Sequence, residues 1–468
     1  MKRIEVGQLS VVQFNAFIRS GTANAKGYSF MRFYDVADRL LLEYKSQPLS
    51  STNWQATGNY TETPAGTDYM LIGIETDSSA SGLATPNASA SKPSQPKPPA
   101  RSQSSTPGYF YADEFSVEIN IGSPQTKLQP LCDLDRYLRP FWFSDTIFNE
   151  TVLLYSKEGQ PARGRLLYTP SEILSVNSFD GRYLYQPAID YSIDGNQLTR
   201  NPGSHMTFRA DTSFDKKNLA WYNLQSQWIT VTYTHKDPWT GPAPAYKGDR
   251  LPRTMARLRT RFPLRIAAFG MSITRGLNVS SYDSTPPYMP AYMDLFAYQL
   301  KKIYGYEDIQ LFNAGLPGSR SDWAAQYADK YISPLHPDLV ILDFGMNDFW
   351  AYEPQQFKGF IQTMIQKIRK TNPATEFLLL SNMLFDPDYI LDTDVRKDWY
   401  TGNMRGYNKV LQELETTGIV DLDMTTLSDT LYHRKAPKDF LANPLHPNDF
   451  LARWYAQSLA ATLEMPEA

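Results

Sequence analysis

From about residue 263 onward, continuous apolar runs alternate with stretches that have the period of an amphipathic helix. The clearest helix is 354–370, in which large apolar residues recur at i, i+3, i+4, i+7 spacing. Apolar strands that alternate with helices predict a parallel sheet covered on both faces. The predicted strands are 264–270, 309–313, 338–345, 377–383 and 419–424. Ligands of such sheets bind outside the carboxyl ends of the strands, so functional residues are expected there.

The sequence before this part has a different character. Short runs rich in Tyr, Phe and Ile, broken by turn residues, predict all-β structure in two regions, 1–120 and 121–250. Within the first region, residues 78–107 are rich in Ser and Pro and have no acidic side chain, so we predict a disordered loop. The sequence therefore predicts a multidomain protein with an N-terminal β-sandwich or jelly roll, a second β-rich accessory domain, and an α/β/α domain over 251–468.

Composition excludes several classes of function. The 468 residues contain 46 Lys and Arg against 49 Asp and Glu, so no basic surplus points to a nucleic-acid partner. Cys132 is the single cysteine, which excludes internal disulfides, Cys-rich zinc sites and iron–sulfur clusters. No apolar run approaches the ~18 residues that a membrane span needs, so no membrane partner is expected. Nothing in the sequence indicates the oligomeric state.

Three short segments follow the carboxyl ends of predicted strands. They read GMSIT at 270–274, NAGLPG at 313–318 and GMND at 345–348, and the predicted sheet brings all three to one edge. A serine hydroxyl, an unhindered glycine amide and a carboxamide donor are the groups that acyl transfer requires. The serine attacks, and the amides bind the oxyanion that develops. The group still missing is a base.

Two histidines have nearly the same sequence context, PLHPD around His336 and PLHPN around His446. His336 immediately precedes a predicted strand, and eight strand residues at ~3.3 Å each place it about 25 Å from Asn347, at the wrong edge. His446 lies in a loop after the final strand and before the last helix, which is the correct edge. His446 is therefore the candidate base.

These segments, together with HPND from His446, resemble the SGNH (GDSL-type) hydrolase family in order and spacing across 263–468. The resemblance implies a flavodoxin-like α/β/α fold and hydrolysis of esters or amides through a seryl-acyl intermediate, without metal or cofactor. It implies that Ser272 is the nucleophile and His446 the general base. It further implies an oxyanion hole formed by the Ser272 amide, Gly318 and Asn347.

The sequence departs from the family pattern at two positions. Met271 precedes the nucleophile where Asp is usual, which we expect to change loop hydrogen bonding without loss of chemistry. Asn443 replaces the acid three residues before His446. An Asn oxygen could still accept the imidazole N–H, but it supplies no charge to stabilise the imidazolium. Three interpretations stay open: another acid substitutes (Asp449 or Asp439), a backbone carbonyl orients the ring, or the domain is weakly active.

The N-terminal region resembles jelly-roll carbohydrate-binding modules in the pattern of FMRFYD, the stretch around Trp54, and FYADEFSVEI. Trp54 and Tyr60 are the candidate sugar-stacking residues there. An esterase joined to such a module is most simply a carbohydrate esterase that removes O-acetyl or similar small acyl groups from a polysaccharide. Two alternatives are an esterase or lipase-like enzyme on small or lipid esters, and a catalytically degenerate SGNH protein that binds glycans. Because polysaccharides are extracellular, we expect a secreted or periplasmic protein whose leader is missing from this chain.

Overall fold

The protein divides into two compact units, residues 1–125 and 126–468. The computed structural model describes the following residues: 2–5, 11–20, 27–35, 37–45, 55–62, 69–76, 110–119, 130–210, 224, 227–389, 394 and 396–465.

The first unit is built of two antiparallel sheets. Its strands are β1 (Lys2–Glu5), β2 (Val11–Ser20), β3 (Gly27–Tyr34), β4 (Leu40–Lys45), β5 (Gln55–Glu62), β6 (Tyr69–Thr76) and β7 (Phe110–Ile119). One sheet has the order β1-β6-β3-β4 and the other β5-β2-β7. The prediction of a β-rich N-terminal region is confirmed. The Ser/Pro-rich segment 78–107 lies outside the described residues.

The second unit begins with further β-structure. After the short helix α1 (Leu134–Tyr137) come β8 (Thr146–Leu153), β9 (Tyr155–Ser156), β10 (Arg163–Arg165), β11 (Pro170–Ser178), β12 (Tyr191–Asp194), β13 (Gln197–Arg200), β14 (Arg209–Ala210) and β15 (Trp228–His235). They form a five-stranded sheet, β12-β13-β10-β9-β14, and a three-stranded sheet, β11-β15-β8. Three of the apolar runs behind the β prediction for 121–250 are 163–169, 182–195 and 228–235. The run 228–235 forms a strand over its whole length, whereas the other two form shorter strands, because a bend interrupts the first and a turn the second.

The rest of this unit is an α/β sandwich. Its elements are α2 (Pro252–Thr260), β16 (Leu264–Gly270), α3 (Ser272–Arg275), α4 (Tyr292–Tyr304), β17 (Ile309–Gly315), α5 (Ser321–Tyr331), β18 (Leu339–Asp343), α6 (Pro354–Thr371), β19 (Glu376–Ser381), α7 (Lys397–Gln412), β20 (Ile419–Asp423), α8 (Met424–Arg434), β21 (Leu441–Asn443), β22 (His446–Pro447) and α9 (Asp449–Leu463). The sheet order is β17-β16-β18-β19-β20, and every pair is parallel. This order confirms the predicted flavodoxin-like fold.

The register of β16 fixes the edge at which the site is built. Gly270, its last residue, lies beside Gly315 of β17 on one side and Asp343 of β18 on the other. The three segments singled out in the sequence therefore leave the sheet at the same level. A side chain at Gly270 would not fit, because a Cβ there would lie 1.9 Å from Thr274 Oγ1 and 2.5 Å from the Asp343 carbonyl oxygen.

The β-structure of the second unit shares one hydrophobic core with the α/β sandwich. Phe141 stacks on Trp454 of α9 with ring centroids 4.7 Å apart, and it meets Phe450 edge-on at 4.9 Å. Trp239 adds a third ring, 5.1 Å from Trp454. The domain boundaries expected near 120 and 250 stay predictions, but residues on both sides of 250 pack into the same cluster.

A buried ion pair also joins the β-structure of the second unit to the α/β sandwich. Lys435, after α8, donates to the Glu150 carboxylate of β8, and neither side chain is exposed to solvent. The carboxylate also accepts from Tyr233 Oη at 2.5 Å and from the Leu167 amide at 2.8 Å. Lys435 Nζ donates in addition to the Thr151 carbonyl at 2.9 Å. Because every charge is matched by hydrogen bonds, removal of one partner would leave an uncompensated charge in the core.

We expect Lys435→Met to lower the free energy of unfolding by about 3–5 kcal/mol, because it leaves the charge of the buried Glu150 carboxylate without its partner. Chemical denaturation followed by tryptophan fluorescence measures this loss. The matched control is Lys302→Met, since Lys302 pairs with Asp135 at the surface, where both side chains are more than half exposed. The control should change stability by no more than about 1 kcal/mol. Equal losses in the two variants would contradict the assignment.

Candidate active site

The three loops at the carboxyl edge of the sheet are tied together by hydrogen bonds. The Gly270 carbonyl accepts from the Leu316 amide and from Ser319 Oγ, both at 3.0 Å. Asn347 Nδ2 donates to the Ser319 carbonyl at 3.0 Å. The loop after β17 is thus held between the other two, and the predicted meeting of the three segments occurs in the structure.

The turn that carries Ser272 rests on a buried carboxylate. Thr274 Oγ1 donates to Asp343 Oδ2 at 2.6 Å and accepts from the Met271 amide at 2.9 Å. Tyr292 also donates to Asp343 Oδ2, and Asn382 donates to Oδ1 at 2.5 Å. Burial raises the pKa of Asp343, while these three donors act in the opposite direction. The sequence does not explain why Asp343 lies in an apolar strand. In the structure its carboxylate holds the turn of Ser272 through Thr274.

Ser272 and His446 are in direct contact. Ser272 begins α3, His446 lies in β22, and His446 Nε2 is 2.7 Å from Ser272 Oγ. Both side chains are almost fully buried. Burial alone lowers the pKa of His446 to about 4, because the charged imidazolium loses its hydration and gains no opposite charge. The imidazole is therefore neutral at ordinary pH.

The amide of Asn443 touches the other ring nitrogen, and its orientation is fixed. Asn443 Oδ1 lies 3.0 Å from the backbone N–H groups of both Leu445 and His446. Two donors require an acceptor, so this atom is the oxygen and the amide nitrogen points the other way. Asn443 Nδ2 then lies 2.8 Å from Asn278 Oδ1 and 2.8 Å from His446 Nδ1.

This orientation selects the tautomer of the histidine. Because Asn443 Nδ2 donates to His446 Nδ1, that ring nitrogen must be unprotonated, and the proton of the neutral ring lies on Nε2. His446 Nε2–H then donates to Ser272 Oγ. A general base needs the reverse arrangement, with a lone pair on Nε2. The sequence allowed the Asn443 oxygen to accept from the ring, but the two backbone donors hold that oxygen elsewhere.

The two acids considered as substitutes are used for other contacts. Asp449 accepts from the Ser280 amide at 2.7 Å and from Ser280 Oγ at 2.6 Å. Asp439 accepts from the Leu153 amide at 2.6 Å. Burial raises the pKa of each of these carboxyl groups to about 6. Of the three predicted orienters, the structure brings only Asn443 into contact with the imidazole.

Two of the three predicted oxyanion donors are backbone amides. Within the described part of the chain, neither the Ser272 amide nor the Gly318 amide has a hydrogen-bond acceptor. Gly318 has φ +77°, a left-handed conformation that favours glycine, and it is exposed. The second hydrogen of Asn347 Nδ2 faces Met271 Sδ at 3.8 Å, a weak acceptor. All three predicted oxyanion donors are therefore still able to donate.

Two residues of the site are missed by sequence reasoning. Asn278 holds the Asn443 amide, and it follows α3 in a loop without a motif, so no sequence signal identifies it. Asp348 of the GMND block accepts from the amide and hydroxyl of Ser321, at 2.9 and 2.6 Å, and so holds the start of α5. Its place beside Asn347 in the sequence was visible, but its partner 27 residues earlier was not.

The remaining predicted residues lie where little is described. Trp54 is outside the described residues, and Tyr60 belongs to β5, of whose side chains nothing is described. Among the described side chains, no group of three or more His, Cys, Asp or Glu could hold a metal ion. None of the helices in the described ranges is long and apolar enough to cross a membrane.

Comparison with known families identifies the α/β part. Residues 268–453 match the GDSL-like lipase/acylhydrolase family. This segment is a GDSL-like acylhydrolase domain. The match contains Ser272, Gly318, Asn347 and His446, and it confirms the SGNH resemblance of this segment. The resemblance of the N-terminal region to carbohydrate-binding modules stays a prediction. No curated protein matches the chain at a significant level.

Several solved structures are similar to part of the chain. A two-domain esterase active on acetylated mannans, co-crystallised with mannopentaose, is 21% identical over 49% of this chain and 58% of its own, with a TM-score of 0.36. An acetylxylan esterase from Geobacillus stearothermophilus is 15% identical over 42% of this chain and 93% of its own, with a TM-score of 0.33. An acetyl xylan esterase, AlAXEase, is 20% identical over 42% of this chain and 97% of its own, with a TM-score of 0.34.

The contacts of Asn443 predict the proton state of His446. In ¹⁵N-histidine NMR spectra, His446 should stay neutral down to about pH 4 with its proton on Nε2. Asn443→Asp should raise this pKa, because a carboxylate favours the imidazolium, and should move the proton of the neutral ring to Nδ1.

The matched control is Asn372→Asp, beside the exposed His336, whose Nδ1 is 3.0 Å from Asn372 Oδ1. We expect a smaller shift there, because water screens the added charge. An Nδ1-protonated His446 in the unsubstituted protein would contradict the tautomer assignment.

Proposed function

We propose that this protein is a serine esterase that removes O-acetyl or similarly small acyl groups from a polysaccharide. The observation that carries the enzymatic part is the 2.7 Å contact between Ser272 Oγ and His446 Nε2. A hydroxyl beside an imidazole is the pair that nucleophilic acyl transfer uses, and the unused amides of Ser272 and Gly318 are the proposed donors to the oxyanion.

Before acylation, the neutral His446 ring must move its proton from Nε2 to Nδ1, with the Asn443 oxygen turned toward Nδ1 as the acceptor. Ser272 Oγ then attacks the carbonyl carbon of the ester, and its proton passes to the vacant Nε2. The amides of Ser272 and Gly318, with Asn347 Nδ2, donate to the oxyanion. When the tetrahedral intermediate breaks down, His446 returns the proton to the departing sugar oxygen. A water molecule then attacks the acyl-serine with His446 as base, and the acid is released.

Proton transfer is the difficult part of this cycle. The imidazolium carries a proton on Nδ1, and that proton must meet an acceptor. Asn443 can present its oxygen only if its amide turns over, which breaks the two hydrogen bonds from Leu445 and His446. The proposed enzyme is therefore slower than one with a carboxylate at this position, where loss of the acid costs about 10⁴-fold in a serine protease.

The identity of the substrate has separate support. It rests on the pattern shared by the N-terminal region and carbohydrate-binding modules, in which Trp54 and Tyr60 are the proposed stacking residues. It rests also on the second β-rich region, which is packed onto the esterase domain and borders the segment that carries His446. A module for sugar joined to an esterase fits an acylated polysaccharide better than a lipid. For such a substrate we propose an exported protein.

Acetate release from acetylated xylan tests the proposal. We expect the unsubstituted chain to release acetate and Ser272→Ala to lower kcat/KM by at least about 10³-fold, because the nucleophile is lost. The matched control is Ser192→Ala, an exposed serine of β12, which should retain activity. Acetate release that persists in Ser272→Ala would contradict the serine mechanism. Faster hydrolysis of long-chain than of acetyl 4-nitrophenyl esters would favour the lipid-ester alternative.

A second function is favoured by one observation. Because the Asn443 nitrogen holds His446 in the tautomer that cannot accept a proton on Nε2, the domain could bind acylated glycans without turnover. This alternative predicts saturable polysaccharide binding that Ser272→Ala leaves unchanged, with no acetate release by the unsubstituted chain.

The variant Asn443→Asp tests whether the Asn443 amide slows catalysis or is required for it. A carboxylate can accept from Leu445 and His446 with one oxygen and from His446 Nδ1–H with the other. We expect kcat/KM on 4-nitrophenyl acetate at pH 7 to rise by about 10²-fold or more. Asn372→Asp, remote from Ser272, should leave the rate unchanged. A large loss in Asn443→Asp would instead mean that the present amide is tuned for catalysis.

A further inference from the structure

A cavity of about 910 Å³ lies beside the second β-rich region, outside the Ser272–His446 site. One wall is the turn 178–185, which joins β11 to the following segment, together with His205 and Trp228. The stretch 285–286, in the loop between α3 and α4, also lines the cavity and forms a second wall. The volume is within the range of small-molecule binding sites.

Aromatic rings line the first wall, and one of them is open to solvent. Tyr183 is 67% exposed, while Phe179, Tyr185 and Trp228, which line the same cavity, are buried. Phe179 and Trp228 pack with ring centroids 5.3 Å apart. The cavity therefore combines one ring that is open to solvent with a group of buried aromatic rings.

Hydrogen bonds within the turn hold the backbone around Tyr183 in place. The Ser178 amide donates to the Tyr183 carbonyl at 2.9 Å, and the Tyr183 amide donates to Ser178 Oγ at 3.0 Å. Asp180 accepts from Ser178 Oγ at 2.6 Å and from the Arg182 amide at 3.1 Å. A preorganised turn lowers the entropy lost on binding.

Two charged side chains of opposite sign line the same cavity as Tyr183. Arg182 Nε is 3.3 Å from Asp180 Oδ2, and both residues line the cavity. Their charges offset each other, so the cavity attracts neither an anion nor a cation strongly. Their remaining donors and acceptors suit a neutral ligand with several hydroxyl groups. A pyranose has this chemistry, with an apolar C–H face for an aromatic ring and hydroxyls around its edge.

The segments that line the cavity are hydrogen-bonded to segments that adjoin His446. Trp228 Nε1 donates to the Lys438 carbonyl at 2.9 Å, and the Leu224 amide donates to the carbonyl of Ala442, the residue before Asn443, at 3.3 Å. The loop that contains 285–286 also contains Ser280, which Asp449 holds next to the start of α9. Both walls are thus connected to segments adjoining His446.

We propose that this cavity is a subsite for a neutral oligosaccharide chain, with Tyr183 as the stacking platform and Asp180 and Arg182 as partners of the sugar hydroxyls. The subsite holds the polymer on the esterase domain while one of its acyl groups reaches Ser272, and in that respect it rests on the proposed function. Binding itself does not require turnover, so it is measured separately.

The test is calorimetric titration of the full chain, carrying Ser272→Ala to prevent hydrolysis, with xylohexaose and mannohexaose. We expect saturable binding of at least one of them. Adding Tyr183→Ala should weaken it about tenfold through loss of the ring face, while Tyr183→Phe should retain it. The matched control is Phe143→Ala, an aromatic residue 82% exposed that does not line the cavity, which should bind as before.

Three outcomes would overturn the subsite. The first is that neither neutral sugar binds saturably at millimolar concentration, and the second is that Tyr183→Ala leaves the binding unchanged. The third uses oligogalacturonate, an acidic oligosaccharide, as a further titrant: it would bind more tightly than the neutral sugars. The second would assign the binding to another part of the chain. Acetate release by the unsubstituted protein without oligosaccharide binding would reject the subsite alone. Oligosaccharide binding that depends on Tyr183, without any ester hydrolysis, would reject the proposed function alone.

Discussion

The register between β16 and its two neighbours is the constraint on which the site depends. It places Gly270 level with Gly315 and Asp343, so that three loops from distant parts of the sequence begin side by side. Glycine at 270 lets the turn of Ser272 fold back over the end of β18, where Thr274 reaches the Asp343 carboxylate. A shift of one residue in either strand pair would move the loop that carries Ser272 out of level with the loops that carry Gly318 and Asn347.

The histidine depends on a different set of contacts. The segment from Lys435 to Asn443 is held from the side of the β-rich region, by the ion pair with Glu150 and by the bond from the Leu153 amide to Asp439. Because these partners are buried and belong to β8, the β-rich region determines where the last loop before α9 lies. This region is therefore part of the framework of the esterase site.

The parts of this structure that follow local rules could be predicted from the sequence. The apolar runs gave the five parallel strands to within a few residues, and the chemistry of Ser272 and His446 followed from their place at one edge of the sheet. The orientation of the Asn443 amide could not be predicted. It depends on two backbone N–H groups and on Asn278, 165 residues away in the chain, and no pattern in the sequence encodes such a contact. The same holds for Asp343, whose three donors, Thr274, Tyr292 and Asn382, come from three separate segments of the chain.

The buried carboxylates around the site are all used to hold the structure. Asp343 supports the serine turn, Asp348 the start of α5 and Asp449 the loop at Ser280, whereas the position next to His446 carries an amide. An acid there would compensate the imidazolium that forms during turnover, and no described residue in contact with the ring does so. The choice between turnover and simple binding therefore depends on how readily one amide group gives up two backbone hydrogen bonds, which leaves two buried N–H donors without an acceptor at a cost of about 1–3 kcal/mol each. A barrier of that size slows proton transfer without preventing it, which is why we favour a slow esterase over an inert binding protein.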